Sequence, residues 1–200
     1  MPAGVIFDLG GVVLRWNTDE ILRDFYADES LRSLAKRELF GHADWLELDR
    51  GTLLEPQAVQ RFHERTGRSA EEMSALLRAA RDSLQPNAET LAILDELSGR
   101  GIPLYVLSNM PAATADYLRS KYSFWKAFRG VVISGEIKML KPEPAIFDYI
   151  AKRFDLKPES TVFVDDHPAN IASARRLGFD TILFQNPAQC RAELLERFSL

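Results

Sequence analysis

Asp8, Ser108, Asn109, Lys141, Asp165 and Asp166 are the side chains of this sequence that could act together on a charged substrate. Each stands at or beyond the end of a short apolar run: "GVIFD" (4–8), "PLYVLS" (103–108), "GVVIS" (130–134) or "TVFVD" (161–165). A carboxylate closing such a run is costly to bury unless something pairs with it. Three carboxylates in one place repel one another and call for a divalent cation. Hard oxygen donors, in a chain with only three histidines, favour Mg²⁺, which binds through one or two carboxylates plus substrate phosphate. Lys141, in "KMLKPEP", would neutralise charge on a nucleophile or a phosphoryl group, and Pro142 biases it to an extended backbone. Ser108 and the backbone N–H of Asn109 supply donors to phosphate oxygens. These parts suit phosphoryl transfer to an aspartate, where catalysis is mostly positioning and charge stabilisation.

The elements that must position these groups form an α/β pattern. With "TILF" (181–184) there are five runs nearly continuous in Val, Ile, Leu and Phe, the mark of parallel strands buried on both faces. "EPAIFDYIAKRF" (143–154) and "HPANIASARRLG" (167–178) have helical spacing, with Pro144 suited to a first turn and Gly178 to a helix end. Strands alternating with helices predict a parallel sheet covered on both sides, and sites in such sheets form at the carboxyl ends of the strands. Residues 15–90 do not fit a simple crossover. "DEILRDFYA", "LRSLAKRELF", "EPQAVQRFHERT" and "AEEMSALLRAARDSL" are amphipathic helical stretches, broken by turns at "DRGTL" (49–53) and "TGRS" (66–69). The expected organisation is a sheet domain of residues 1–15 and 85–200 with a helical domain, 16–84, inserted after the first strand.

Composition narrows the partners. The net charge is −4 with both signs interspersed, so no basic stripe tracks a nucleic acid. Cys190 is the only cysteine, which excludes an intramolecular disulfide or a cysteine-built zinc site and suits a reducing compartment. No apolar run reaches membrane-spanning length, and "MPAGVIFD" lacks a signal-peptide pattern. The expectation is a cytoplasmic protein, monomer or homodimer, without membrane or nucleic-acid partners.

The motifs "IFDLGGVV", "YVLSN", "MLKPEPAIF" and "VFVDDHPANIASARRLGF", in this order, resemble those of the haloacid dehalogenase-like (HAD) hydrolases, and "LDRGTL" looks like a turn of that family. The resemblance spans the whole chain. It implies a Rossmann-like core with strand order 5-4-1-2-3, a helical cap after strand one, and Asp8 facing Asp165 and Asp166. It also implies roles: Asp8 as the nucleophile that becomes an aspartyl-phosphate, Ser108 and Asn109 holding phosphate, and Lys141 bridging phosphate and Asp8. Asp166 would be a direct Mg²⁺ ligand, Asp165 near the metal or acting through water, and Gly10 would offer it a carbonyl.

Gly10 departs from the family pattern. Phosphatases of this kind usually carry Asp there to protonate the leaving alcohol, and a lost general acid is worth about 10²–10⁴ in rate. One reading is a phosphatase acting on an easily departing ester such as a sugar 1-phosphate, with His42 or Asp49 as a substitute proton donor. A second is a 2-haloacid dehalogenase, in which halide leaves unprotonated, although an adjacent acidic pair without metal would repel itself. A third is a non-catalytic, phosphate-sensing or partner-binding protein. His167 is expected at the pocket edge, His63 in solvent, and Trp16 and Trp45 in packing more than on a substrate.

Overall fold

Five parallel strands form one sheet in the order β3-β2-β1-β4-β5, in a computed structural model that describes residues 2–200. The strands are β1 (Gly4–Phe7), β2 (Leu104–Ser108), β3 (Gly130–Ile133), β4 (Thr161–Asp165) and β5 (Asp180–Leu183). This is the expected order read from the opposite edge. The helices are α1 (Thr18–Phe25), α2 (Glu29–Ala35), α3 (Ala43–Arg50), α4 (Glu55–Thr66), α5 (Ala70–Asp82), α6 (Ala88–Gly99), α7 (Ala112–Lys121), α8 (Ser134–Ile137), α9 (Pro144–Arg153), α10 (Pro168–Arg176) and α11 (Pro187–Phe198).

Alternation along the central strand decides which helices cover which face. Val5 and Phe7 pack with Leu94 and Leu97 of α6, Leu118 of α7 and Leu194 of α11. Ile6 points the other way, into Ile146, Phe147 and Ile150 of α9 and Ile171 and Ala174 of α10. Both faces are therefore dry, which is why these strands read as unbroken apolar runs. Strand ends shift slightly from expectation. Ser134 opens α8 instead of closing β3, because its hydroxyl is engaged beyond the sheet, accepting from Met110 N at 2.8 Å and donating to Asp49 O at 2.5 Å. β5 runs one residue earlier than "TILF", starting at Asp180 and stopping before Phe184.

Helices α1 to α5 share a core of their own, with Leu22, Phe62, Met73 and Leu76 almost wholly buried in it. Side-chain caps start four of them, α3 through His42 Nδ1. Asn17 accepts from Asp19 N and Glu20 N, Asp28 from Ser30 N and Leu31 N, and Ser69 from Glu72 N. The chain leaves the sheet and returns to it at one place, where Arg15 N donates to Gln85 O at 2.8 Å and Asn87 N to Val13 O at 2.9 Å. Among the described residues no helix is long and apolar enough to cross a membrane.

Candidate active site

Parallel pairing brings the strand ends to one edge. Phe7 pairs with Val164 and Asp8 N donates to Val164 O at 2.9 Å, so Asp8 emerges beside Asp165. The turn after Asp8 needs its second glycine. Gly11 has φ +78°, and a Cβ there would strike the carboxylate of Asp166. Gly10 is different: a Cβ would first meet Trp16 at 3.8 Å, an ordinary contact. Space for a side chain exists at position 10, and the residue type alone removes the acid. Asp8, Asp165 and Asp166 each place a carboxylate oxygen within 4.8 Å of the others.

Lys141 joins this cluster from beneath. Its Nζ lies 2.9 Å from Asp8 Oδ2 and 2.7 Å from Asp165 Oδ2, and the residue is 3% exposed. The Lys141–Pro142 peptide bond is cis. Asn109 does not aim its amide at the cavity. Its Nδ2 donates to Lys141 O, its Oδ1 accepts from Lys141 N, both at 2.9 Å, and it thereby holds the lysine backbone. Asp165 is fully buried and heavily hydrogen-bonded, accepting from Lys141 Nζ at 2.7 Å, from His167 N at 2.8 Å, and from Asn170 Nδ2 at 3.0 and 3.1 Å. It anchors the lysine, while Asp8 and Asp166 line the open cavity with Gly10.

The electrostatics follow from burial and crowding. Burial pushes the Asp8 carboxyl up to about 7; Lys141 opposes this, and Asp165 and Asp166 add to it. Burial, then Asp165, also raise Asp166 above the usual carboxylate range. Burial works against the Lys141 ammonium, but Asp165 and Asp8 outweigh it and hold the lysine above its ordinary value. Negative charge thus exceeds positive at this edge.

The opposite wall of the cavity comes from α3 and the turn after it. Asp49 lines the cavity with Asp8, is buried, and has no side-chain hydrogen-bond partner among the described residues. Burial, then the charge of Asp8, push it up to about 7 against the pull of Lys141. Three contacts fix its place. Ser134 Oγ donates to Asp49 O, the Arg50 guanidinium pairs with both Glu143 oxygens at 2.9 and 2.5 Å, and Gly51, with φ +75°, lies where a Cβ would strike Gly135 O.

Among the described residues that line the cavity are Asp8, Gly10, Asn109, Lys141 and Asp166, but not Ser108, which is buried at the end of β2. His42 is also away from it; its Nδ1 caps α3 by accepting from Asp44 N at 3.1 Å. His167 sits at the cavity edge, its Nδ1 accepting from Ala169 N at 3.3 Å, and His63 is exposed on α4 near Arg68 O. Trp16 and Trp45 stack with ring centroids 5.9 Å apart and both line the cavity, packing and surface at once. Asn170 was not singled out by sequence reasoning. The available signal is its place on the first turn of α10, where an amide can reach back to the last carboxylate of β4.

A family model described as haloacid dehalogenase-like hydrolase matches residues 2–178. A sesquiterpene phosphatase from Aspergillus oryzae is 29% identical over 173 residues, covering 86% of this chain and 85% of that one. A D-ribitol-5-phosphate phosphatase from Bacteroides thetaiotaomicron is 26% identical over 208 residues, covering 97% of each. In fold, a HAD-family enzyme from the same organism, solved in complex with magnesium and inorganic phosphate, superposes with a TM-score of 0.74 at 23% identity, over 92% of this chain and 95% of that one.

Proposed function

The chain belongs to the haloacid dehalogenase-like hydrolases, and we propose that it is a Mg²⁺-dependent phosphatase that passes the phosphoryl group of a small phosphomonoester first to Asp8 and then to water. The observation that carries this reading is the contact of Lys141 Nζ with Asp8 and Asp165, 2.9 and 2.7 Å away, at the floor of a cavity of about 540 Å³. It supplies an oriented carboxylate nucleophile beside a fixed positive charge, with room above for an ester. The phosphatase relatives support the same reaction class.

The acidic cluster fits a hard divalent cation. Its donors are carboxylate oxygens, they converge, and Asp8 stays raised to about 7 even with a lysine against it. Asp8, Asp166 and the Gly10 carbonyl would hold Mg²⁺, with Asp165 behind them. When bound, the ion offsets the negative charge that the carboxylates and the phosphate dianion bring together.

In the first step an Asp8 oxygen attacks phosphorus, an acyl-phosphate bond forms and the bond from phosphorus to the ester oxygen breaks. Lys141 stabilises charge on the phosphoryl oxygens, with Asn109 and Asp165 holding it in place. Asp49 gives its proton to the departing alcohol, which its raised value allows near neutrality. In the second step the Asp49 carboxylate takes a proton from water, whose oxygen displaces Asp8 from phosphorus. Asp49 thus stands in for the acid missing at Gly10, so the reading does not require an easily departing ester such as a sugar 1-phosphate. Helices α1 to α5, residues 16–84, act as a cap over the core of residues 1–15 and 85–200, and carry the groups that select the alcohol.

Hydrolysis of p-nitrophenyl phosphate with and without Mg²⁺ tests this. Metal-dependent turnover abolished in Asp8→Asn is the expected result. Turnover of chloroacetate without metal would support a dehalogenase instead, and silence in both assays a non-catalytic protein.

A further inference from the structure

We infer that the alcohol esterified to the phosphate is a hydrocarbon chain, not a sugar or polyol, and that the cavity between the helical segment and the sheet edge is shaped to bury it. The inference rests on the phosphatase reading and deepens it by naming the substrate class.

Away from the charged floor, the walls are apolar. Trp16, Trp45, Leu53, Leu77, Leu84 and Met110 line the cavity, from both the helical segment and the sheet domain. At about 540 Å³ it lies within the range of roughly 300–1,000 Å³ that holds a whole small molecule, far more than phosphate alone occupies. A sugar in this space would need a partner for each hydroxyl, since a buried hydroxyl without one is penalised. Above the floor the lining offers Asp49, Glu55, Arg81, Thr114 and, at the edge, His167, while the amides of Asn109 and Asn170 are engaged with Lys141 and Asp165. Asp49 is committed to proton transfer in the proposed reaction. Arg81, whose guanidinium lies over the Tyr117 ring 4.5 Å from its centroid, leaves its buried Nε without a hydrogen-bond partner among the described residues, a donor for one hydroxyl and not for the several a polyol carries.

The rim gives an independent indication. Leu46 and Leu54 are 55% and 64% exposed, and both belong to the cavity lining. The other large hydrophobic side chain left so exposed among the described residues is Leu200 at the chain end. Scattered exposed leucines need no explanation, but two placed at the mouth of an apolar cavity extend its surface outward. A hydrocarbon longer than the cavity would cover them.

The test measures kcat/KM for butyl, hexyl, octyl and decyl phosphate, below their micelle concentrations, alongside glucose 1-phosphate and ribitol 5-phosphate. The same protein is titrated with butyl and decyl phosphonate. Each buried methylene should raise kcat/KM about threefold to fourfold, so that decyl phosphate, with six more methylenes, exceeds butyl phosphate by about a thousandfold when all six are buried, and both sugar esters fall below decyl phosphate. The double variant Leu46→Ser/Leu54→Ser should narrow the ratio of decyl to butyl turnover. A flat series, or preference for a sugar ester, overturns the hydrocarbon assignment while leaving the phosphatase reading intact. Absence of turnover on every ester, p-nitrophenyl phosphate included, overturns the phosphatase reading. The phosphonates then decide alone: tighter binding of the decyl compound supports a hydrocarbon site, and equal binding overturns it.

Discussion

Asn109 and Lys141 exchange two hydrogen bonds, the amide of one against the backbone N–H and C=O of the other, each 2.9 Å long. The pair ties the end of β2 to the loop that carries the lysine, 32 residues further along the chain. In Asn109→Ala both backbone groups of a buried residue lose their partner, at a cost of about 1–3 kcal/mol each if water cannot replace it. Urea unfolding should show the loss, and kcat should fall because Lys141 is no longer oriented, with KM changing less.

Lys141 itself is expected to be far more sensitive. Removing one partner from a buried ionic group leaves the rest uncompensated, typically at a cost of about 3–5 kcal/mol for a pair. Lys141→Met should destabilise the protein by about this amount, measured by denaturant unfolding, and abolish turnover. The stability deficit should shrink as pH is lowered, because the unpaired Asp8 can then be protonated.

The two glycines after the nucleophile should respond differently. Gly11→Ala places a side chain in the left-handed region, about 1 kcal/mol or more on its own, and drives a methyl into the Asp166 carboxylate. Activity and stability should both drop, with the Mg²⁺ concentration needed for half-maximal rate rising. Gly10→Ala meets nothing closer than Trp16 at 3.8 Å. Its melting temperature should stay close to that of the parent protein.

These contrasts mark what was legible in the sequence. Asp8, Asp165 and Lys141 could be placed because each ends or follows a strand, and parallel pairing carries all strand ends to one edge. The fold class was legible in the alternation of strands with helices, whereas the sheet order came only from the family resemblance. Ser108 is placed less sharply, because a residue closing a strand can turn into the interior as easily as toward the cavity, and this one is buried and outside the lining. Asn109 was found for its backbone, whereas its side chain turned out to serve Lys141. The apolar wall was hidden because Leu77 and Leu84 look like core leucines in any helical pattern. Asp49 stood no higher than His42 in the sequence. What separates them is the Gly51–Gly135 approach and the Arg50–Glu143 pair, both contacts between distant segments that no local pattern records.

Asp49 offers a prediction in which stability and activity move in opposite directions. Its folded value is about 7, against about 3.9 for an unfolded aspartate. Between those values the folded chain binds more protons than the unfolded one, so its stability contribution is full at low pH, falls as pH rises from about 4 to about 7, and stays low above that. Asp49→Asn removes this penalty. The variant should be more stable than the parent at pH 8, by on the order of 2–4 kcal/mol, and the gap should close toward pH 4 in unfolding curves recorded without metal. Catalysis should suffer in return. Without a proton for the departing alcohol, kcat on an alkyl phosphate should drop by about 10²–10⁴, and the fall in rate above pH ~7 should vanish from the profile. On p-nitrophenyl phosphate, whose phenolate leaves without help, the loss should be much smaller. Equal losses on both esters would mean that Asp49 shapes the cavity and moves no proton.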